Sequence, residues 1–176
     1  MSTAPHRRTA ALTAIVFGFF SIGWFQWAQA APTGRLGVAF DLGSVLALAV
    51  AITGIAALIR SPARDMTRDA RRKSGVIVGI EFAAAFAGSV LLRVTGHADY
   101  VPVLVAAVVG LHFPFLAPIL HDPLLVPLGV VVTVIAVIGG VLGLTTDIAP
   151  GTVAAGGSAV VLVGYSIQTL VRAFRA

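Results

Sequence analysis

Residues 124–144 read LLVPLGVVVTVIAVIGGVLGL, a run of twenty-one residues without a charged side chain. An α-helix rises 1.5 Å per residue, so about 20 apolar residues cross the ~30 Å hydrocarbon core of a bilayer. Only helices and closed barrels satisfy their backbone groups in lipid, and the run lacks the polar–apolar alternation of a barrel strand. The stretch therefore predicts a transmembrane helix.

Five further runs along the chain have a similar length and composition. Together the predicted helices span residues 9–31, 38–59, 74–92, 100–120, 124–144 and 152–171. The sequence therefore predicts an all-α fold, in which residues 1–176 form one integral membrane bundle of six transmembrane helices.

The composition agrees with this fold class. Of the 176 residues, 58% are hydrophobic and 11% are charged, and the mean hydropathy is +0.99. Soluble domains carry about 25% charged residues, and so few charges cannot cover a surface that faces water. An ordinary soluble protein is excluded. The absence of cysteine also excludes disulfides, thiol catalysis and cysteine metal sites.

The positive charges predict the orientation of the chain. Ten of the twelve lysines and arginines precede the first helix, follow the sixth, or lie in the loop 60–73, and only Arg35 and Arg93 lie in the opposite connections. Cytoplasmic loops carry the excess of Lys and Arg. We therefore expect both termini and the basic loop in the cytoplasm of a bacterial-type cell, with the protein in its plasma membrane. The net charge of +5 is explained by topology, and we expect no nucleic-acid partner.

The first helix has an alternative interpretation. Ala28-Gln29-Ala30 resembles a signal peptidase site, and cleavage after Ala30 would leave five helices. However, the preceding apolar run exceeds the usual length of about 7–15 residues. Trp24 and Trp27 also fall where an aromatic belt of the outer leaflet would lie. We therefore expect the helix to be retained.

The basic loop reads RSPARDMTRDARRK. Its two aspartates precede basic residues at the spacing of helical ion pairs, which predicts a short surface helix after Pro62. Such cations contact anionic headgroups at about 1 kcal/mol each, and the alternative is docking of a partner. The candidate membrane-surface or partner-binding residues are Arg64, Arg68, Arg71, Arg72 and Lys73.

Small residues predict how the helices pack. Gly75, Gly79, Ala83 and Ala87 recur every four residues along the third helix. Small side chains allow transmembrane helices to approach each other closely. This pattern predicts that the third helix is central.

Two ionisable residues fall well inside predicted helices. Such a residue costs at least ~2.5–3.5 kcal/mol at a helix centre and is a candidate for function. By the rise per residue, Glu81 on the third helix lies about 10 Å, and His112 on the fourth about 12 Å, from the cytoplasmic end. A Glu–His pair can form if these two helices pack together.

Two polar residues share this depth. Tyr165 on the sixth helix lies at about 9 Å and Thr133 on the fifth at about 14 Å by the same count. A layer of Glu81, His112, Tyr165 and Thr133 is therefore the candidate ion, proton or substrate site. Such a layer can relay a proton or cation, or a protonated Glu81 can fix helix register by a hydrogen bond. Asp41, in contrast, is expected to cap the second helix at the outer interface.

The fourth helix contains two internal prolines. Pro114 removes the hydrogen bond to the Gly110 carbonyl, and Pro118 removes the bond to the Pro114 carbonyl, which predicts a kink after His112. We therefore consider Gly110, Pro114 and Pro118 a candidate hinge, whose freed carbonyls can coordinate a cation or a water near the histidine.

This helix also carries a resemblance. GLHFPFLAPIL, residues 110–120, resembles the Gly-Leu-His-Phe-x-Pro-Leu-Ala pattern of small multi-helix bacterial membrane proteins, most of which are uncharacterised. The order of Pro114 and Phe115 departs from that pattern. The resemblance implies that His112 is a position of interest, and it implies no known activity.

Signatures of intramembrane enzymes do not occur in the sequence. It lacks HExxH and GxSxG, and Ser158 and His112 fall in opposite halves of the membrane. The His–Asp pairs at 97/99 and 121/122 lie on opposite sides, which excludes a shared metal site. We therefore expect no enzyme activity and no cofactor.

Two functions remain open from the sequence. One is a small transporter or channel component for a proton, an ion or a small solute. The other is a non-transporting scaffold or partner-binding protein. The lipid bilayer is the expected partner, and six short helices leave little room for a cavity, so we also expect a homo-oligomer.

Overall fold

The computed structural model describes residues 4–29, 34–61 and 68–175. Within these ranges the chain is helical and contains no strand. Each of its six α-helices is long and apolar enough to cross a membrane, which confirms the predicted all-α class. The helices are α1 (Ala4–Ala28), α2 (Arg35–Ile59), α3 (Arg68–Val94), α4 (Val101–Leu120), α5 (Leu125–Thr145) and α6 (Pro150–Arg175), with a 3-10 helix (Ala98–Tyr100) before α4.

The helix boundaries differ from the predicted ones where charges begin. α3 starts at Arg68, six residues earlier than predicted, because a helix does not end where its side chains become polar. Asp69 and Lys73 form an exposed ion pair of 2.9 Å in its first turns. The basic residues from 68 to 73 therefore belong to α3 and not to a separate surface helix, while Arg64 lies outside the described residues.

The centre of the bundle is α6. It packs against α1, α2, α4 and α5, and more than half of its membrane-length window is buried. Small side chains make this possible, since Ala154, Ala155 and Ser158 are fully buried. A Cβ atom on Gly139 of α5 would lie 3.0 Å from the backbone nitrogen of Ala154, so α5 approaches α6 at backbone distance.

α3 is peripheral, and the prediction that it is central is wrong. Among the described elements it packs against α4 and the 3-10 helix, and none of its residues is fully buried. A Cβ atom added to Gly75 or Gly79 would meet nothing within 4 Å. A stripe of small residues shows where a neighbour can approach closely, but not that a neighbour is present.

The outer surface of the bundle is apolar. Phe86 is 73% exposed, Leu144 77% and Ile59 79%. Soluble monomers rarely expose extended apolar surface of this kind, whereas lipid tails cover it at no cost. The structure is thus that of a multi-pass membrane protein.

The connections alternate between two ends of the bundle. Thr9 at the start of α1, His121 and Asp122 after α4, and Arg172 near the end of α6 line one cavity of about 350 Å³. At the opposite end, Gly151 of α6 lies beside Pro102 of α4. Both termini of the described chain therefore lie at one end, as the alternation of basic loops predicts.

α1 is part of the core. Its Trp24, Phe25 and Ala28 are no more than 4% exposed, so Trp24 is not in a lipid-facing belt as the sequence suggested. The Phe25 ring occupies the space beside Gly43 of α2, where a Cβ atom would lie 2.5 Å from its Cζ. Cleavage after Ala30 would remove these side chains from the bundle, which favours a retained first helix.

Candidate functional site

Glu81 and His112 are in contact. The Nε2 atom of His112 lies 3.2 Å from the Oε2 atom of Glu81, and each side chain is 12% exposed. The depth count had placed the two residues at one level, and the structure shows that their helices also present them to each other.

The register of α3 and α4 explains this contact. Gly88 of α3 packs against Leu104 of α4, where a Cβ atom would meet the leucine side chain. Glu81 lies seven residues before Gly88 on α3, and His112 lies eight residues after Leu104 on α4. Because the two helices are antiparallel, these nearly equal steps bring Glu81 and His112 to the same level. The absence of a side chain at Gly88 leaves room for the Leu104 side chain where the two helices meet.

The histidine ring retains an unused nitrogen. Nδ1 of His112 is buried and makes no hydrogen bond of good geometry within the described residues, although the backbone carbonyls of Val108 and Val109 lie near the ring. When Nε2 donates its proton to the Glu81 carboxylate, Nδ1 keeps a lone pair. The pair can therefore accept one more proton without losing its hydrogen bond.

The pair lies in the wall of a groove between α1, α3 and α4. The groove has a cavity volume of about 740 Å³ and is lined mainly by apolar side chains. It exists because α1 and α3 make almost no contact with each other. α3 packs along α4, whereas α1 reaches α4 through the edge-on contact of the Phe17 and Phe113 rings, 5.3 Å between centroids. Its size is within the usual range of small-molecule sites, about 300–1,000 Å³.

The charges in the groove are unevenly distributed. Arg8 and His121 line its mouth at the end of the bundle that carries both termini. Ala70 lines the same mouth and precedes Glu81 by eleven residues, so the pair lies about 16 Å deeper along α3. Among the described lining residues, Glu81 is the single acidic group.

The predicted four-residue layer does not form. The Tyr165 hydroxyl donates a hydrogen bond to the Asp122 carboxylate, and its ring packs edge-on against Phe17 at 5.5 Å between centroids. The Thr133 hydroxyl donates to the Gly129 carbonyl at 2.8 Å on its own helix. Tyr165 and Thr133 share a depth with the pair but face other neighbours, because depth does not fix the direction of a side chain around its helix.

The proline segment continues as helix. α4 runs from Val101 to Leu120 through Pro114 and Pro118. The carbonyl oxygen of Gly110, which Pro114 deprives of its partner, lies against α5, 2.5 Å from where a Cβ atom of Gly129 would be. This carbonyl is therefore not offered to a cation beside His112, contrary to the expectation. A hinge at Gly110, Pro114 and Pro118 stays a prediction.

Asp122 and Asp41 have roles that the sequence did not reveal. Asp122 accepts a hydrogen bond from the Tyr165 hydroxyl. It also accepts one from the backbone N–H of Leu124, at 3.2 Å, in the turn that follows α4. Asp41 does not cap α2, which begins at Arg35. Gln29 donates to it from the end of α1 at 2.9 Å.

The aromatic lining of the groove was also missed. Phe17, Phe20 and Trp24 all line it from α1. Their spacing of three and four residues places them on one helical face, so the signal was present in the sequence. The sequence alone did not identify a groove, because the periodicity of the aromatic residues does not indicate which helix this face of α1 packs against.

Two further features concern metal ligands and nucleophiles in the described residues. No three His, Asp or Glu side chains in that part of the chain come close enough to hold a metal ion. The Ser158 hydroxyl is buried in α6 and has no hydrogen-bond partner there.

No protein-family model, curated protein or solved structure matches this chain.

Proposed function

We propose that this protein is a small membrane transporter in which the Glu81–His112 pair binds a proton that the protein moves. The observation that carries the proposal is the 3.2 Å contact between the carboxylate and the imidazole in the wall of the groove. A carboxylate and a histidine inside a membrane span are costly and are characteristic of proton relays.

The groove provides one access route to the pair. Along this route water would reach Glu81 and His112 from the end that carries Arg8 and His121, which the distribution of positive charge predicts to be cytoplasmic. Beyond the pair, close packing of Gly88 against Leu104 closes the route. Transport therefore requires α3 to move on α4, which is the single α-helix that α3 packs against among the described helices.

Flux measurements on reconstituted protein test the proposal. Proteoliposomes with an imposed potential are expected to take up protons faster than protein-free liposomes, as reported by an enclosed pH dye. Glu81→Gln and His112→Ala remove the proton-binding groups, and each is expected to lower the flux at least about tenfold.

The matched control is Asp41→Asn. It makes the same carboxylate-to-amide change on α2, outside the groove, and is expected to keep the wild-type flux. The proposal is wrong if the wild-type protein moves no more protons than empty liposomes under either an imposed potential or a counter-cation gradient, or if Glu81→Gln moves them as well as Asp41→Asn.

A second candidate function is a scaffold that binds a partner. The exposed surface of α3 favours it, with Arg71, Arg72 and Lys73 at its start and the small-residue stripe along its length. Neutralising Arg68, Arg71 and Arg72 would then release a co-purifying partner and leave proton flux unchanged.

A further inference from the structure

The groove combines a carboxylate with a wall of aromatic rings. The rings come from all three helices that form it, namely Phe17, Phe20 and Trp24 of α1, Phe82 of α3 and Phe113 of α4. The faces of aromatic rings attract cations, by about 0.5–2 kcal/mol each. A site with several rings and one acidic group matches an organic cation rather than an anion or a neutral solute.

The opening of the groove indicates how such a molecule enters. Its cytoplasmic mouth carries Arg8, whose guanidinium repels a cation. Phe20 and Phe82 flank the gap between α1 and α3, and they are 50% and 60% exposed on the surface that faces lipid. A cation with an apolar body partitions into the membrane and reaches Glu81 through this gap.

The Glu81–His112 contact limits what can bind at the same time. With a proton on the imidazole, the pair is neutral, since the imidazolium balances the carboxylate. A monovalent cation that takes the carboxylate leaves the imidazole free to release its proton to water, and the site again stays neutral. Two positive charges beside one carboxylate in an apolar groove are strongly disfavoured.

Other charged groups do not alter this balance. Among the described residues that line the groove, the remaining titratable or charged groups are Arg8 and His121 at the mouth. The 3-10 helix with Asp99 also packs on α3, but at the far end of that helix, about 20 Å from Glu81.

We propose that the groove binds a lipophilic monovalent organic cation at Glu81 in exchange for one proton held by the Glu81–His112 pair. This inference rests on the proposed function only in taking the pair as the proton site. It names the class of solute that the proton is exchanged for.

Equilibrium dialysis of the purified full-length protein in detergent tests the inference. The probe is tetraphenylphosphonium, and the comparison is tetraphenylborate, which has nearly the same shape and the opposite charge. We expect saturable binding of the cation, at least about tenfold tighter than that of the anion, and weaker binding as the pH falls. In weakly buffered solution, binding should release about one proton per cation.

Three variants identify the site. Glu81→Gln should weaken binding of the cation at least about tenfold, and Phe82→Leu about two- to tenfold. Phe86→Leu is the matched control, because Phe86 is 73% exposed on the same helix and does not line the groove. Phe82 and Phe86 are both exposed, so neither change threatens the fold.

The outcomes separate this inference from the proposed transport. Equal binding of the two probe ions, unchanged binding in Glu81→Gln, or binding without proton release each overturns the inference, even where Glu81-dependent proton flux is present. An acyl chain that occupies the groove would give the first of these results. A one-for-one exchange moves no net charge, so flux is also measured under a gradient of tetraphenylphosphonium without an imposed potential. Binding that depends on Glu81 in a protein without flux under either condition supports the inference and contradicts transport.

Discussion

Two glycines hold α4 and α5 at backbone contact. A Cβ atom on Gly129 would lie 2.5 Å from the Gly110 carbonyl oxygen and 2.9 Å from Cδ of Pro114. Neither neighbour is the flexible end of a side chain, so the helices must separate to admit a methyl group. We expect Gly129→Ala to lower the free energy of unfolding by about 1–3 kcal/mol, measured by denaturant titration in mixed micelles.

The control for this prediction is Gly79→Ala. Gly79 also lies inside a transmembrane helix, but a Cβ atom there would meet nothing within 4 Å. Alanine forms helices better than glycine, so this variant should be at least as stable as the wild type. Equal losses in both variants would show that helix approach at Gly129 is not limiting.

The hydrogen bond between Tyr165 and Asp122 ties α6 to the turn after α4. Tyr165→Phe removes the hydroxyl donor and leaves the part-buried Asp122 carboxylate without this hydrogen bond. We expect a loss of about 1.5–3 kcal/mol in the free energy of unfolding, as for hydrogen bonds to charged groups. Asp122→Ala also removes the bond to the Leu124 N–H and should cost more. A Tyr165→Phe protein as stable as the wild type would contradict this account.

Part of the candidate site was predictable at the scale of single residues. The equal depth of Glu81 and His112 in the membrane was predictable, because the depth of a residue follows from the number of residues between it and the helix end. Tyr165 was placed in their layer by the same count, yet it faces Asp122. The direction of a side chain around its helix depends on which helices are neighbours, and a sequence of uniformly apolar helices contains little information about that.

At the scale of elements, α3 presents an uncovered face. Gly75, Gly79, Ala83 and Ala87 are all exposed, and no helix in the described ranges packs over them. Small residues on a lipid-facing surface favour close packing of a second helix. We expect the α3 helices of two copies to pair along this stripe.

Cysteine cross-linking tests this pairing directly, because the chain has no cysteine. Gly79→Cys should form disulfide-linked dimers in oxidised membranes. Val130→Cys is the control, since Val130 is 55% exposed on α5 at a similar depth. Cross-linking of Val130→Cys alone, or of neither variant, would show that α3 faces lipid and not a second copy.

The helices themselves were predictable, whereas their arrangement was not. Six apolar runs gave six helices, because length and hydropathy are properties of each segment alone. The prediction that α3 is the central helix was wrong, because the position of a helix in the bundle depends on how the segments pack together and not on one segment alone. α6 contains polar residues and a charged end, yet it is the most buried, since its alanines and serines let four helices approach it.

At the scale of the whole molecule, the uneven distribution of positive charge predicts an orientation. The connections after α3 and α5 should face the exterior, and the start of α3 the cytoplasm. Thr95, Asp147 and Arg71 are exposed at these places. In intact cells a membrane-impermeant maleimide should label Thr95→Cys and Asp147→Cys, and Arg71→Cys only after permeabilisation. The reverse pattern would invert the proposed topology.

The most extensive helix contact in the bundle joins α1 to α6, the first and last of the described helices. Chains are synthesised from the N-terminus at about 5–20 residues per second, so α1 is inserted well before its main partner exists. During that interval the face of α1 with Phe17 and Ala28, which contacts Tyr165 and Gly156 of α6, must be covered by lipid or by an insertion factor. A chain whose synthesis stops before α6 therefore lacks the helix that joins α1 and α2 to α4 and α5. The surface of α1 that normally packs on α6 then stays exposed, where membrane quality control can recognise it.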